Sequence, residues 1–166
     1  MKKLFRMSQT DNLRSIDLLF SNPVLLSALF SWGLAQFIKV VINLVRGRPE
    51  GVGGTFVMFL WKTGGMPSSH SSAIVAVTTA VGFIDGLKSS LFAVMAVLTV
   101  IIIRDALGVR HSAGVQARAL NQLGIQLKRK KIAEFKLVKE VNGHTFPEVA
   151  VGAMLGFFIA VAFCKL

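Results

Sequence analysis

The stretch Gly64-Gly65-Met66-Pro67-Ser68-Ser69-His70-Ser71-Ser72 places an imidazole and four hydroxyls just ahead of the apolar run Ala73-Ile74-Val75-Ala76-Val77. Two glycines relieve backbone constraint, the proline fixes a turn, and the serines offer an N-cap. A helix that begins in this way is an anion site by construction, because its free amides and the positive end of its dipole point to one place. A plainer account stands beside it: the serines cap the helix and His70 sits at headgroup level. The rest of the chain supplies the company that favours the anion. A second histidine opens the last apolar run in Gly143-His144-Thr145-Phe146-Pro147-Glu148, and Lys39, Arg46, Arg48, Arg104 and Arg110 lie at the ends of apolar segments. Cations and imidazoles gathered this way suit phosphate. They do not suit a metal. Glu50, Asp105, Glu134, Glu140 and Glu148 are scattered, without the oxygen clustering of a magnesium or calcium site, and two histidines without cysteines or paired carboxylates make a poor zinc site. No metal or other cofactor is expected.

These groups need elements to hold them. The chain has 166 residues, 53% of them hydrophobic, and a mean hydropathy of +0.63. That is too apolar for a soluble domain of this size and reads as a one-domain integral membrane protein. The net charge of +11 then points to anionic headgroups and phosphorylated substrates, not to nucleic acid. Cys164 stands alone, so no intrachain disulfide can form. The start Met1-Lys2-Lys3-Leu4-Phe5-Arg6 resembles a signal n-region, but the polar residues 8–12 interrupt it, and cleavage is not expected.

Residues 1–17 read as a polar N-terminal arm, and residues 18–166 as a single transmembrane helical domain. The first span, Pro23–Val45, is about 34 Å long as a helix. Lys39 near its far end either snorkels or meets a partner, and Gly47 and Pro49 end the helix. Residues 55–61 are apolar but too few to cross, which suggests a re-entrant or interfacial piece. A second span runs from about Ser69 to Ile84. The third rises from Leu91, its apolar part ending at Ile103 and its helix continuing through Arg104-Asp105-Ala106-Leu107. The segment of about 115–140 carries Leu120, Leu123 and Leu127 on one face and then Lys128-Arg129-Lys130-Lys131. It reads as an amphipathic helix on anionic membrane lipids or as a solvated basic face. The last span covers residues 149–164, where Gly152 and Gly156 form a small-xxx-small pair suited to tight helix contact and to a homodimer. The expected fold is all-α: a polytopic membrane bundle with about four transmembrane segments.

If the connections alternate, one membrane face receives the end of span one, His70, the Arg104–Arg110 region and His144. Most of the 19 Lys and Arg residues fall on that side. Positive-inside counting places it in the cytoplasm, with the hairpin around Asp85 translocated.

Pro67-Ser68-Ser69-His70 resembles the Pro-Ser-Gly-His motif of the type 2 phosphatidic acid phosphatase superfamily, which includes the vanadium haloperoxidases. The wider pattern is Gly-Gly-Met-Pro-Ser-Ser-His, then Arg104-Asp105-Ala106-x-Gly108-Val109-Arg110, then Gly143-His144-Thr145-x-x-Glu148-Val149. It is similar to the small divergent bacterial and plastid branch of that superfamily, over roughly residues 20–162. The resemblance implies two-step phosphoryl transfer: His144 attacks phosphorus, oriented by Glu148, and His70 protonates the leaving alkoxide and then activates water. Lys39, Arg46, Arg48, Arg104 and Arg110, with Ser68, Ser69 and the Ser69 and His70 amides, become candidates to hold phosphate oxygens.

The chain departs from the family pattern in places. Lys39 lies eight residues before Arg48-Pro49 where the family has six, and Arg46 keeps the spacing without the proline. Val138 stands where an arginine belongs, leaving Arg104 or Arg110 to supply that charge. Glu148 replaces aspartate, and Thr145-x-x-Glu148 is also a capping box, so the carboxylate has two possible employments. His111 is a rival nucleophile, but Val115 occupies its acidic partner's position. Two functions fit: a metal-independent phosphatase acting on a lipid phosphate monoester or pyrophosphate, in the bacterial cytoplasmic membrane, and a non-catalytic phospholipid binder or transporter that keeps the pocket.

Overall fold

The structure, a computed structural model, describes residues 20–46, 65–140 and 143–165. The N-terminal arm, Arg48, the apolar piece at 55–61 and Gly64 lie outside the described residues. Among these residues five helices follow in order: α1 Pro23–Val45, α2 Ser69–Ile84, α3 Ser90–Arg104, α4 Arg110–Arg129 and α5 Phe146–Lys165. A π-helical turn, Asp105–Val109, joins α3 to α4, so that Ser90–Arg129 is one continuous helix of 40 residues. Among the described residues there is no strand, and the chain is a helical membrane bundle. Local chemistry explains the helix starts. Asn22, Ser68 and Ser89 each accept from amides of the following first turn, and Pro23 takes the first helical position of α1.

The bundle is organised around α2, which packs on α1, α3 and α5. Most of its buried residues are small: Ser72 meets Ser31 of α1, and Ser72, Ala76 and Ala80 pack with Gly156 and Ala160 of α5. Large side chains point outward instead, among them Phe30, Phe37, Val97, Val100 and Phe158. This inverts the pattern of a soluble core. Lipid is as apolar as leucine, so helices associate through close van der Waals contact, and small residues permit it. Several of the polar side chains inside close on nearby backbone. Ser27 and Ser31 hydroxyls donate to the Val24 and Ala28 carbonyls, and the Ser72 hydroxyl donates to the Ser31 carbonyl at 3.2 Å. Thr78 and Thr99 share a hydrogen bond of 2.7 Å between α2 and α3.

α2 and α5 run parallel and in fixed register. Gly152 lies on the Ser68 carbonyl and Gly156 on the Ser72 carbonyl, so close that a Cβ at either place would press into backbone. The glycine pair that suggested a homodimer is therefore buried inside one chain, and its face is occupied by α2. Among the described residues, three stretches are long and apolar enough to cross a membrane: α1, the continuous α3–α4 helix, and α5. The 16 residues of α2 extend about 24 Å, roughly one turn short of a 30 Å hydrocarbon layer.

Beyond the bundle, α4 ends in a Schellman turn. Lys131 takes φ 55, Ile132 N–H donates to the Leu127 carbonyl and Lys131 N–H to the Lys128 carbonyl. The chain then returns along α4, pinned where the Asn121 side chain bonds both the N–H and the C=O of Val138. The segment expected to be amphipathic is thus a helix up to Arg129 and an extended strap over residues 133–140. The strap covers Asn121 and Gly124, and Leu120 and Leu123 remain exposed.

Replacing Gly156 by alanine is expected to lower stability in detergent by about 1–3 kcal/mol, the usual cost of overpacking. Gly33→Ala, where an added Cβ meets nothing within 4 Å, is expected to leave stability unchanged or slightly raised. Paired thermal unfolding curves check this; equal behaviour of the two variants would refute the assigned register.

Candidate functional site

The starts of α2 and α5 meet the π turn at one end of the bundle. Gly65, at φ +81, takes the left-handed backbone that glycine tolerates and swings the chain into Pro67-Ser68. The Ser68 hydroxyl oxygen accepts from the Ser71 amide at 3.4 Å and from the Ser71 hydroxyl at 2.9 Å. Ser68 N–H donates to the Glu148 carbonyl at 2.9 Å. The cap of one helix is thus anchored on the first turn of the other.

His144 precedes α5 and is 6% exposed. Its N–H donates to the Ala106 carbonyl of the π turn at 3.2 Å. Its Nδ1 lies 3.2 Å from Glu148 Oε2, the same oxygen that accepts the Thr145 amide at 2.9 Å. The two employments of Glu148 are therefore one geometry: the carboxylate completes a capping box and turns the imidazole. A carboxylate can only accept, so this network assigns the proton to Nδ1 and leaves Nε2 with its lone pair. Burial pushes the His144 imidazole below the ordinary histidine value. The hydrogen bond and charge of Glu148 pull it up, while Lys39 and Arg110 push it down. The net shift is downward, so the ring is neutral at pH 7 and able to act as a nucleophile.

Lys39 is buried, 7% exposed, and its Nζ donates to Ser69 Oγ at 3.2 Å. It has a partner within the bundle instead of reaching for the interface. His70, one residue into α2, is exposed, and the charged groups around it are Arg110, Lys39, His144 and Asp105. The two histidines thus come together at this end of the bundle, one buried and oriented, the other open to solvent. Arg110 acts on both of them, and its Nε donates to Asp105 Oδ2 at 2.6 Å.

Other sequence candidates lie elsewhere. Arg104 is exposed on the outer side of the long helix, in a groove lined by Val100, Ile103, Leu107 and Gly108, and is not among the charges acting on either histidine. Arg46 is exposed at the C-cap of α1. His111 is exposed, and Gly143 packs on its backbone too closely for any side chain. Between Arg104 and Arg110, the structure brings only Arg110 to the pair.

Three features escape a reading of the sequence. Asp105 and Arg110 are five apart, a spacing that aligns only in a π turn. The Ala106 carbonyl holds the His144 backbone, and main-chain contacts leave no mark in composition. Gln36 is buried one turn before Lys39, and its Oε1 has no hydrogen-bond partner; a glutamine in an apolar helix carries no motif. Among the described residues, no three His, Cys, Asp or Glu side chains gather as metal ligands would.

Long helices with large apolar side chains turned outward, and a histidine cleft at one end, define an integral membrane protein with a polar site at its boundary. The chain belongs to the Divergent PAP2 family, whose model matches residues 20–159. It is 40% identical over 154 residues to the uncharacterized membrane protein YuiD of Bacillus subtilis (strain 168), covering 86% of this chain and 94% of that protein. No solved structure matches the chain.

Glu148→Gln keeps an oxygen for the Thr145 amide but removes the charge beside His144. The His144 pKa is then expected to fall further, as read by NMR titration of the histidine rings in detergent. An unchanged or raised value would show that the carboxylate does not act on the imidazole.

Proposed function

We propose that this chain is a membrane-embedded, metal-independent phosphatase that hydrolyses a lipid phosphate monoester or pyrophosphate through a phosphohistidine. The observation that carries this reading is the pairing of a buried, carboxylate-oriented His144 with a solvent-facing His70 in one cationic cleft. His144 Nε2 attacks phosphorus as the bond to the leaving oxygen breaks, and His70 gives its proton to that oxygen. The now neutral His70 takes a proton from water, whose oxygen attacks phosphorus; the N–P bond breaks, free phosphate leaves, and both imidazoles return to their starting states. Lys39, Arg110, Ser69 and the first amides of α2 hold the non-bridging oxygens as charge grows on them in this reading. Membership of the family supports the reaction class. The outward apolar surface supports a substrate that arrives through the bilayer.

The purified protein in detergent is expected to release phosphate from a lipid phosphate, with EDTA harmless and vanadate inhibitory. His144→Ala should abolish turnover. His70→Ala should retain slow hydrolysis of an aryl phosphate, whose leaving group needs little help. The acid limb of the pH profile follows the lowered His144 pKa: rate is lost as pH falls below the ordinary histidine range and His144 protonates. The alkaline limb reports loss of the His70 proton and should vanish for the aryl substrate's first step. Tight vanadate binding without phosphate release would make the chain a phospholipid binder instead. Turnover that survives His144→Ala but not His111→Ala would overturn the nucleophile.

We assign the chain to the bacterial cytoplasmic membrane with the cleft on the cytoplasmic side. The run Lys128-Arg129-Lys130-Lys131 supports this, since it closes α4 well beyond the cleft and owes nothing to phosphate chemistry. Cysteines at Ser89 and Lys130 in a Cys164→Ser background, labelled in intact cells with an impermeant reagent, test it. Labelling at 89 alone is expected; labelling at 130 alone would reverse the orientation.

A further inference from the structure

Residues five apart on an α-helix point roughly 140° away from each other, because each step turns the helix by about 100°. Asp105 and Arg110 nevertheless meet twice. The Arg110 N–H donates to the Asp105 carbonyl, and its Nε donates to the Asp105 carboxylate at 2.6 Å. Both contacts exist because the helix widens here to i→i+5 bonding, a change of winding often found at functional sites. The same turn presents the Ala106 carbonyl to the His144 backbone. One turn of helix therefore sets the position of a cation and of the nucleophile it would serve.

Among Arg46, Arg104 and Arg110, only Arg110 is among the charges acting on the two histidines. Val138 occupies the position where the resemblance would put an arginine, and its backbone is held by Asn121 on the strap. Arg104 lines a separate groove and is not among the charges acting on the histidines, whereas Arg110 acts on both. Arg110 is nonetheless exposed and carries a long flexible side chain. Without an anchor it would sample many rotamers, with only a small fraction reaching a phosphoryl group. A carboxylate on Nε fixes the plane of the guanidinium and leaves its two terminal nitrogens free for bidentate contact with two oxygens.

We propose that Asp105 is the positioning residue of this site, holding Arg110 across the π turn so that its terminal nitrogens face the phosphoryl group of the substrate. This rests on reading the cleft as a phosphate site. It goes further in naming the arginine that serves it and the side chain that aims it. The opposite role is equally specific. If Asp105 only competes with the anion for Arg110, removing its charge must tighten binding.

The test uses the full chain in detergent, with orthovanadate affinity measured by 51V NMR and phosphate release measured alongside. Asp105→Asn and Arg110→Ala are each expected to weaken vanadate by about tenfold, the scale of one charge-assisted hydrogen bond. The double variant should be no weaker than Arg110→Ala alone, since the role proposed for Asp105 in anion binding runs through the arginine. Unchanged or tighter binding in Asp105→Asn, or losses that multiply in the double variant, would overturn the proposal. Should Asp105→Asn fail to fold, Asp105→Glu carries the test. It keeps the charge, moves the guanidinium by a methylene, and must still weaken vanadate; full affinity would overturn the proposal. The two readings separate cleanly. Vanadate binding without turnover, lost in Asp105→Asn, defeats the phosphatase and keeps the positioning role. Turnover and binding unaffected by Asp105→Asn keep the phosphatase and defeat the role. A wild type that neither binds nor hydrolyses defeats both.

Discussion

Everything at the polar end of this protein depends on how closely α2 can lie on α5. Gly152 and Gly156 admit the backbone of Ser68 and Ser72 where a single methyl would not fit. That contact lets the Ser68 amide reach the Glu148 carbonyl, which fixes the start of α2 against the start of α5. Glu148 then has its main chain engaged with one helix and its side chain with the residues that lead into its own. The imidazole of His144 inherits its orientation from this arrangement, and Ser69 inherits its place opposite Lys39. A bundle with larger residues along the seam would separate the two helix starts and disperse the cleft.

The economy of the seam follows from the solvent. In water, a core of alanine, serine and glycine would gain little from burial. In lipid, where burial of leucine gains nothing, close approach of backbones is the available source of cohesion, and the serines satisfy themselves on nearby carbonyls. The same logic explains how Lys39 can sit within a span. Its ammonium lies at the polar end of α1 beside the Ser69 hydroxyl and under the influence of Glu148, so it is never exposed to hydrocarbon.

Much of this arrangement is legible in the order of the residues alone. The serine cap at Ser68, the break after Val45 and the block from Gly143 to Glu148 are local signals, readable because each residue acts on its own neighbours. The small-xxx-small pair is equally plain, but spacing says only that something must approach closely. It cannot say whether that partner is α2 or a second chain, and the partner is α2. The π turn is hidden for a different reason. Arg104-Asp105-Ala106-Leu107-Gly108 reads as an ordinary helix end, and Gly108 invites a break. Instead the chain stays helical with wider winding, which separates Arg110 from Arg104 and brings only the former to the histidines. Glu148 presents two readings because cap and orienting base need the same atom in the same place, and only the folded arrangement reveals that one oxygen serves both.

The long helix has an electrostatic consequence. A helix carries about half a positive charge at its start and half a negative charge at its end, felt within a turn or so. The parallel pair α2 and α5 brings two positive ends to the cleft. α1 finishes nearby with a negative one. A third span ending at Arg104 would have added a second and cancelled the balance. Because the helix runs on without interruption to Arg129, its negative terminus is carried about 35 Å away, several screening lengths from the histidines. There it is met by Lys128 and Arg129 in the last turn. The continuation that looks like an appendage is thus what leaves the cleft with a surplus of positive helix ends.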